Sequence, residues 1–369
     1  MNKKKTVLVA PLNWGLGHAT RIVPIVEVLL KYNSKVILAA DKRPYEFLKQ
    51  RFPDIEIIRF PGFEPEYTSN ASMALKMVFS FPSMLIKARK AHKLLQKIIT
   101  HHHVDIIISD NRFEAYSKDA YSVFITHQLN IQTNGLQKIF KPIITKLIYN
   151  YIKHYDELWI PDYEDPEQNL SGKLSHVKKF PIKNHHFIGP LSRFEPNEDY
   201  NDIKKDDLLI ILSGPEPQRT KLEDLLIKKV LQSNLKTTIL QSKPEENKHT
   251  QKENIKFISH ASDKQIAALI KSAKMIISRP GYSTVMDLSI FGKKAIFIPT
   301  PGQTEQEYLA NKLKNQDYCY YEKQEAFDLN ISLKESEKYH GLPTIVTKRQ
   351  YEIQIRNLLS ENLRNQNKK

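Results

Sequence analysis

Cysteine is nearly missing: Cys319 is the one in 369 residues. An intrachain disulfide and a cysteine metal cluster are thereby excluded, and a reducing cytoplasm is the expected setting. Long apolar runs are missing as well. None approaches the roughly 18 residues of a membrane span, so an integral membrane protein is not expected. The start, Met1-Asn-Lys-Lys-Lys-Thr-Val-Leu-Val-Ala-Pro-Leu12, has the basic beginning of a signal peptide, but its apolar part is too short and no small-residue cleavage site follows. It reads as a first strand. Acidic residues are in deficit, 41 against 56 Lys and Arg, for a formal net charge of +15. The excess favours an anionic partner, whether nucleic acid, an acidic membrane surface or a phosphorylated substrate, and it equally suits lysine-rich solvated faces. Zinc-finger spacing, an aromatic RNP-like strand and a dense arginine stripe are all lacking, so nucleic acid is not the expected partner.

What is there is enough length for two domains and 40% hydrophobic residues to form their cores. The first half alternates strands at Thr6–Leu12, Lys35–Ala40, Glu56–Phe60, Val104–Ser109, Val123–Thr126 and Glu157–Ile160 with helices at Ala19–Tyr32 and Ser83–Thr100. A polar, proline-bearing stretch at 187–206 reads as a connection. The second half repeats the theme with strands at Asp207–Leu212, Lys236–Gln241, Ile255–Ile258 and 274–278, and helices at Thr220–Gln232 and Asp263–Ser272. The expected class is α/β, with mostly parallel sheets in domains 1–186 and 207–345; a last helix and tail, 346–369, return to the first domain.

The densest pattern is Ile277-Ser-Arg-Pro-Gly-Tyr-Ser-Thr-Val-Met-Asp287, followed by the strand Ala295–Pro299 and then by Glu305-Gln306. Gly281 allows backbone to approach a ligand, and Ser283 or Thr284 is expected to cap a helix whose free N–H groups attract an anion. Gly292 reads as the helix stop. An ordinary, well-capped strand–turn–helix unit explains the same residues without a ligand.

Three other loops carry possible chemistry. Gly15-Leu-Gly17-His18 follows the first strand, where a cleft opens at the carboxyl end of a parallel sheet and a histidine is suited to act as general base. Its partial likeness to a dinucleotide fingerprint, with Asp41 at the second strand's end, lacks the third glycine. Ser213-Gly214 and Arg219 begin the second half and can meet a phosphate, or form only a proline-stiffened turn. His260 precedes a helix at Asp263, which serves either as a nucleobase border or as a simple cap. Asp287 is placed to accept two ribose hydroxyls, Glu305 and Gln306 suit sugar hydroxyls, and Arg279 adds a charged donor.

At these residues the chain resembles glycosyltransferases of GT-B architecture, especially glycosyltransferase family 28, with two facing Rossmann-like domains. The family's turn, ribose acid and sugar-facing pair are matched by Arg279, Gly281, Ser283, Thr284, Asp287 and Glu305-Gln306, and its glycine loop by Gly15-Leu-Gly17-His18. Asp287 stands where glutamate is usual, and Pro280 where a small residue is more common. The resemblance implies metal-independent, inverting transfer without a cofactor. His18 would deprotonate the acceptor and a UDP-linked donor would lie on the second domain, its diphosphate near Ser283-Thr284 and Ser213-Gly214 with Arg279 or Arg219 meeting the growing charge. Asp110, His127 and Gln128 follow strands of the first domain and are candidate acceptor contacts. The basic surface, and the mixture of Met, Phe and Lys at 73–93, suit a lipid-linked acceptor and an anionic membrane; a helix packed on a core fits that segment equally. A nucleotide-sugar hydrolase or epimerase of the same fold, and a non-catalytic nucleotide-sugar-binding protein, are the alternatives.

Overall fold

The structure, a computed structural model, describes residues 4–62, 73–132, 139, 141–195, 206–344 and 350–360. Four strands, β1 (Thr6–Pro11), β4 (Ile106–Asp110), β5 (Tyr121–Ile125) and β6 (Glu157–Ile160), are buried along their whole length. Strands covered on both faces do not alternate apolar with polar residues, which is why they read as continuous Val, Ile and Leu. With β2 (Lys35–Ala40), β3 (Glu56–Arg59) and β7 (His185–Phe187) they form a seven-stranded sheet of order β3-β2-β1-β4-β5-β6-β7, parallel throughout. The order reverses between β1 and β4. At such a switch point neighbouring loops diverge and leave a crevice beyond the strands' carboxyl ends.

The second sheet repeats this plan. It contains β8 (Leu208–Ile211), β9 (Thr237–Leu240), β10 (His249–Lys252), β11 (Ile255–Ile258), β12 (Met275–Ser278), β13 (Ala295–Phe297) and β14 (Tyr320–Tyr321), in the order β10-β11-β9-β8-β12-β13-β14. Only the β10–β11 pair is antiparallel. Its switch point lies between β8 and β12, so Ser213-Gly214 and Arg279-Pro280-Gly281 flank it. The short strands β7, β10 and β14 go beyond the sequence expectation, because two to four residues carry too little periodicity to be read.

One face of the first sheet, with Leu8, Ile37 and Ile107, is covered by Ala91, Leu95, Ile98 and Ile99 of the long helix α4 (Met73–His102). Further along that face Phe124 and Leu158 meet Ile152 of α5 (Lys141–Ile152). The opposite face joins a cluster that also takes in Leu209 and Ile276 of the second half. Helix α11 (Gln350–Ser360) lies against the first half, with Lys31 Nζ 2.5 Å from Glu352 and Gln354 Nε2 2.5 Å from Glu157; residues 361–369 of the expected tail fall outside the described ones. So do 196–205 of the expected connection.

Two helix starts differ from expectation. The single helix expected at Ala19–Tyr32 is two, α1 (Gly17–Arg21) and α2 (Val23–Lys31). Pro24 has no N–H to offer the carbonyl one turn back, so the ladder breaks around Ile22. At α7 (Asp263–Ser272) the cap is Ser262, in a capping box with Gln265; Asp263 is thereby free for ion pairs.

Candidate functional site

The loop after β1 is fastened before it reaches His18: Asn13 donates to the Phe60 carbonyl at 3.0 Å and accepts from the Asp41 amide at 2.9 Å. Gly15 turns the chain in the left-handed region, at φ +70°. Helix α1 then aims His18 across the switch point at Asp110, the last residue of β4, with Nδ1 3.0 Å from Oδ2. Asp110 is completely buried. Burial alone would raise its pKa, but Arg21 and then His18 overcome this and bring it to about 2. An ionised Asp110 fixes the proton on His18 Nδ1 and leaves Nε2 as an acceptor. Burial and the nearby Arg21 charge hold His18 below its ordinary value against the pull of Asp110. It is therefore an unprotonated base at neutral pH.

Opposite stands α8 (Tyr282–Ile290), whose N-cap is Gly281 in an extended conformation, φ −68° and ψ 142°. No side chain caps it. This corrects the expectation for Ser283: its hydroxyl lies in the first turn and donates to the Gly17 carbonyl of the first half, at 2.9 Å. Thr284 Oγ1 lies 3.9 Å from where a Gly281 side chain would begin. The first amides of α8 thus remain without a side-chain partner, the condition under which a helix start receives an anion. Glycine at position 17 lets the two segments approach this closely: a Cβ there would stand 3.1 Å from Ser283 Oγ, a tight contact to which the serine would have to yield.

A second contact joins the halves. His127 Nε2 lies 2.8 Å from Glu305 Oε1, and Gln128 donates to the other carboxylate oxygen. His127 also stacks on Tyr282, with ring centroids 4.2 Å apart, and Tyr282 donates to the Pro161 carbonyl at 2.8 Å. Glu305 opens α9 (Thr304–Asn315). Burial works against its charge, but His127, His18 and Arg21 keep its pKa below the ordinary value. Gln306 turns inward and accepts from the Thr300 amide at 2.8 Å.

Several expectations need correction. Arg279 is fully buried: its guanidinium donates to the carbonyls of Ile298 and Pro299 at 2.9 Å and of Gln218 at 3.2 Å, and to Gln324 Oε1 at 2.6 Å. Burial lowers its pKa to about 10. It braces the loops under the site and presents no charge to a phosphate. Arg219, on α6 (Gln218–Leu231), is engaged by Glu216 at 2.6 Å and Glu223 at 2.8 Å, so its charge is already met. Asp110 is engaged by His18 and Arg21, and His127 and Gln128 are engaged by Glu305; Asp110 and His127 are buried, while Gln128 is partly exposed. Asp287 accepts from Ser192 Oγ at 2.6 Å, and Arg193 Nε is 3.9 Å away. Gly214, at φ +101°, has open space around it beside Ser213. His260 packs edge-on to Phe47 of α3 (Lys42–Arg51) and lines a cavity of about 290 Å³ with Gln50, Pro244 and Gln265; burial and then Arg193 lower its pKa. The site groups that sequence reasoning missed are Arg21, Tyr282, Ser192 and Arg193. Arg21 had a readable signal, standing one helical turn after His18.

Comparison with known proteins agrees with this layout. A family model of the glycosyltransferase family 28 C-terminal domain matches residues 218–338, and one of glycosyl transferase family 1 matches residues 9–153. The chain has the GT-B fold, its first half similar to glycosyl transferase family 1 and its second to the family 28 C-terminal domain. An uncharacterized glycosyltransferase of Methanosarcina acetivorans is 24% identical over 326 residues, 82% of each chain. The UDP-N-acetylglucosamine–N-acetylmuramyl-(pentapeptide) pyrophosphoryl-undecaprenol N-acetylglucosamine transferase of Rickettsia felis is also 24% identical over 326 residues, covering 84% of this chain and 82% of its own. Among solved structures, the glycotransferase of kitacinnamycin superposes with a TM-score of 0.64 at 12% identity, over 97% of this chain and 99% of its own, a likeness of fold. In this glycosyltransferase both family matches reach the site, one holding His18 and Asp110, the other Ser283 and Glu305.

Proposed function

We propose that this glycosyltransferase moves a sugar, with inversion, from a UDP-linked donor to an acceptor hydroxyl, and that His18 is the base. The observation that carries the reading is the His18–Asp110 pair. It holds an unprotonated Nε2 next to the side-chain-free start of α8, with the Gly17–Ser283 hydrogen bond keeping the two together. The acceptor oxygen loses its proton to Nε2 as it attacks the anomeric carbon; the carbon–oxygen bond to the diphosphate breaks on the opposite face, which inverts the configuration. Charge growing on the diphosphate is met by the amides of α8 and of the Ser213-Gly214 turn, so a helix end does the work a metal ion does elsewhere. Glu305 and Gln306 serve the donor sugar, Asp287 the ribose, and His260 borders the base; Ser192, His127 and Gln128 are exchanged for ligand as the donor enters. In this division residues 1–186 hold the acceptor and 207–345 the donor, joined by 187–206.

The name of the Rickettsia felis relative supports UDP as the carrier and a lipid pyrophosphate as the acceptor. The charge distribution supports a membrane-side acceptor. Residues 67–104 and 120–155, which include α4 and α5, contain no Asp or Glu at all. Both helices cover the same face of the first sheet, and Ile86, Ile139, Ile143 and Leu147 are exposed there. Apolar side chains among lysines with no carboxylate fit an anionic lipid surface.

The test is a screen of nucleotide sugars for thermal stabilisation, followed by nucleotide release with and without lipid-linked and soluble acceptors. His18→Ala should keep donor stabilisation and lose acceptor-dependent release by about a hundredfold or more, and release should survive a chelator. Release without any acceptor would point to a hydrolase or epimerase, and stabilisation without release to a binding protein. Full turnover by His18→Ala sinks the reading.

A further inference from the structure

Arg21 touches both histidines' networks and is assigned no part by the resemblance or by the proposed transfer. It is 2% exposed, on the same face of α1 as His18. Its guanidinium forks onto Asp110, with Nε 2.7 Å from Oδ2 and Nη2 on Oδ1. Its remaining arm, Nη1, lies 3.1 Å from His127 Nδ1. A guanidinium only donates, so Nδ1 of His127 is the acceptor and its proton sits on Nε2, which donates to Glu305. The same cation thus imposes opposite tautomers on two histidines: Nδ1–H on His18 through Asp110, Nε2–H on His127 directly.

We propose that Arg21 is a positioning residue that sets the protonation state of His18 and ties it, through His127, to the Glu305 contact between the two domains. The groups facing His18 are Arg21 on α1, Asp110 on β4, His127 after β5 and Glu305 on α9. A buried carboxylate 3.0 Å from a histidine, left alone, would stabilise the imidazolium and fill Nε2 with a proton at neutral pH. Burial of the ring opposes that charge first, and Arg21 then offsets the carboxylate's field while leaving the geometry in place. Asp110 keeps its orienting hydrogen bond and stops holding a proton on the base. When the domain contact is made, His127 and Glu305 close a continuous chain, His18–Asp110–Arg21–His127–Glu305–Gln128, that runs from one half of the molecule into the other.

The inference rests on His18 being the base, but its test needs neither donor nor acceptor, so the two fail separately. The chain has 13 histidines; nitrogen-edited NMR titration of the full-length protein, with His18→Gln and His127→Gln to assign signals, reads both tautomer and midpoint. Arg21→Gln should raise the His18 midpoint by about one pH unit or more, a tenfold change in protonated fraction, and Asp110→Asn should lower it. Arg21→Lys, which keeps the charge and so the fold, should leave the His18 midpoint near its original value while His127 loses its fixed Nε2–H tautomer, since one ammonium does not span Asp110 and His127 as a fork does. An unmoved His18 midpoint in a folded Arg21→Gln protein, or an unchanged His127 tautomer in Arg21→Lys, overturns the assignment.

Discussion

Asp287 is a carboxyl group whose surroundings favour its neutral form. Its side chain is 15% exposed. Burial raises its pKa from 3.8 to about 6 against the counter-pull of Arg193 and Ser192. A pKa raised on folding means the folded state binds the proton more tightly, so the stabilisation is present below pH 4 and is lost as pH rises through 6. The effect is at most about 3 kcal/mol. Asp287→Asn should therefore match the parent near pH 3 and exceed it by about 1–3 kcal/mol at pH 8 in denaturant unfolding; parallel pH profiles for the two proteins would refute this. Arg279 presents the opposite problem, a buried cation whose two Nη groups donate to three carbonyls and to Gln324 while Nε has no partner. Arg279→Met strands several of those carbonyls and should cost about 2–4 kcal/mol, visible as a lower denaturation midpoint. Asp287 was picked out from the sequence by its place after Ser283; that it would face Ser192 and Arg193 was not readable, because those residues lie almost a hundred positions earlier.

The decisive elements are α1 and α8, which meet through one glycine. Gly17→Ala places a methyl 3.1 Å from Ser283 Oγ, tighter than an unstrained contact allows, and either pushes the helices apart or turns the serine away. We expect it to cost about 1–2 kcal/mol and to weaken donor stabilisation. Ser283→Ala removes the obstructing atom, so the double variant should be less destabilised than the two single losses combined; strict additivity in thermal unfolding would show that the helices do not touch in solution. The glycine loop and the helix were both legible as local patterns. Their contact was not, since the residues involved are 266 positions apart.

For the whole molecule the formal charge of +15 matters less than its distribution. On α4 and α5 the side chains of Lys87, Arg89, Lys90, Lys93, Lys97 and Lys146 are exposed, as are those of Ile86, Ile143 and Leu147. Among the described residues no helix is long and apolar enough to cross a membrane. Vesicles with anionic lipid should bind the protein, neutral vesicles should not, and raising salt should release it. Ile143→Glu should cut that binding several-fold while leaving donor stabilisation untouched, and indifference to lipid charge would remove the membrane-side acceptor. From the sequence only 73–93 was singled out for this role. Its first part, 73–85, lies within a described helix but outside the described side chains, and α5 was not among the helices read from the sequence.

Sequence alone determined the class of the protein. Continuous Val/Ile/Leu runs separated by helical lengths require buried parallel strands, and the loops bearing His18, Ser213 and Gly281 fall at strand ends whatever the packing. Tertiary structure decided what each polar group faces. Desolvation and long-range pairing turned Asp110 from a candidate acceptor contact into the orienting partner of His18, engaged Arg279 with the carbonyls of Ile298 and Pro299, and brought Arg21 beside Asp110 and His127. Strand periodicity is a local property of the chain. The partner of a buried charge is fixed only when distant segments meet.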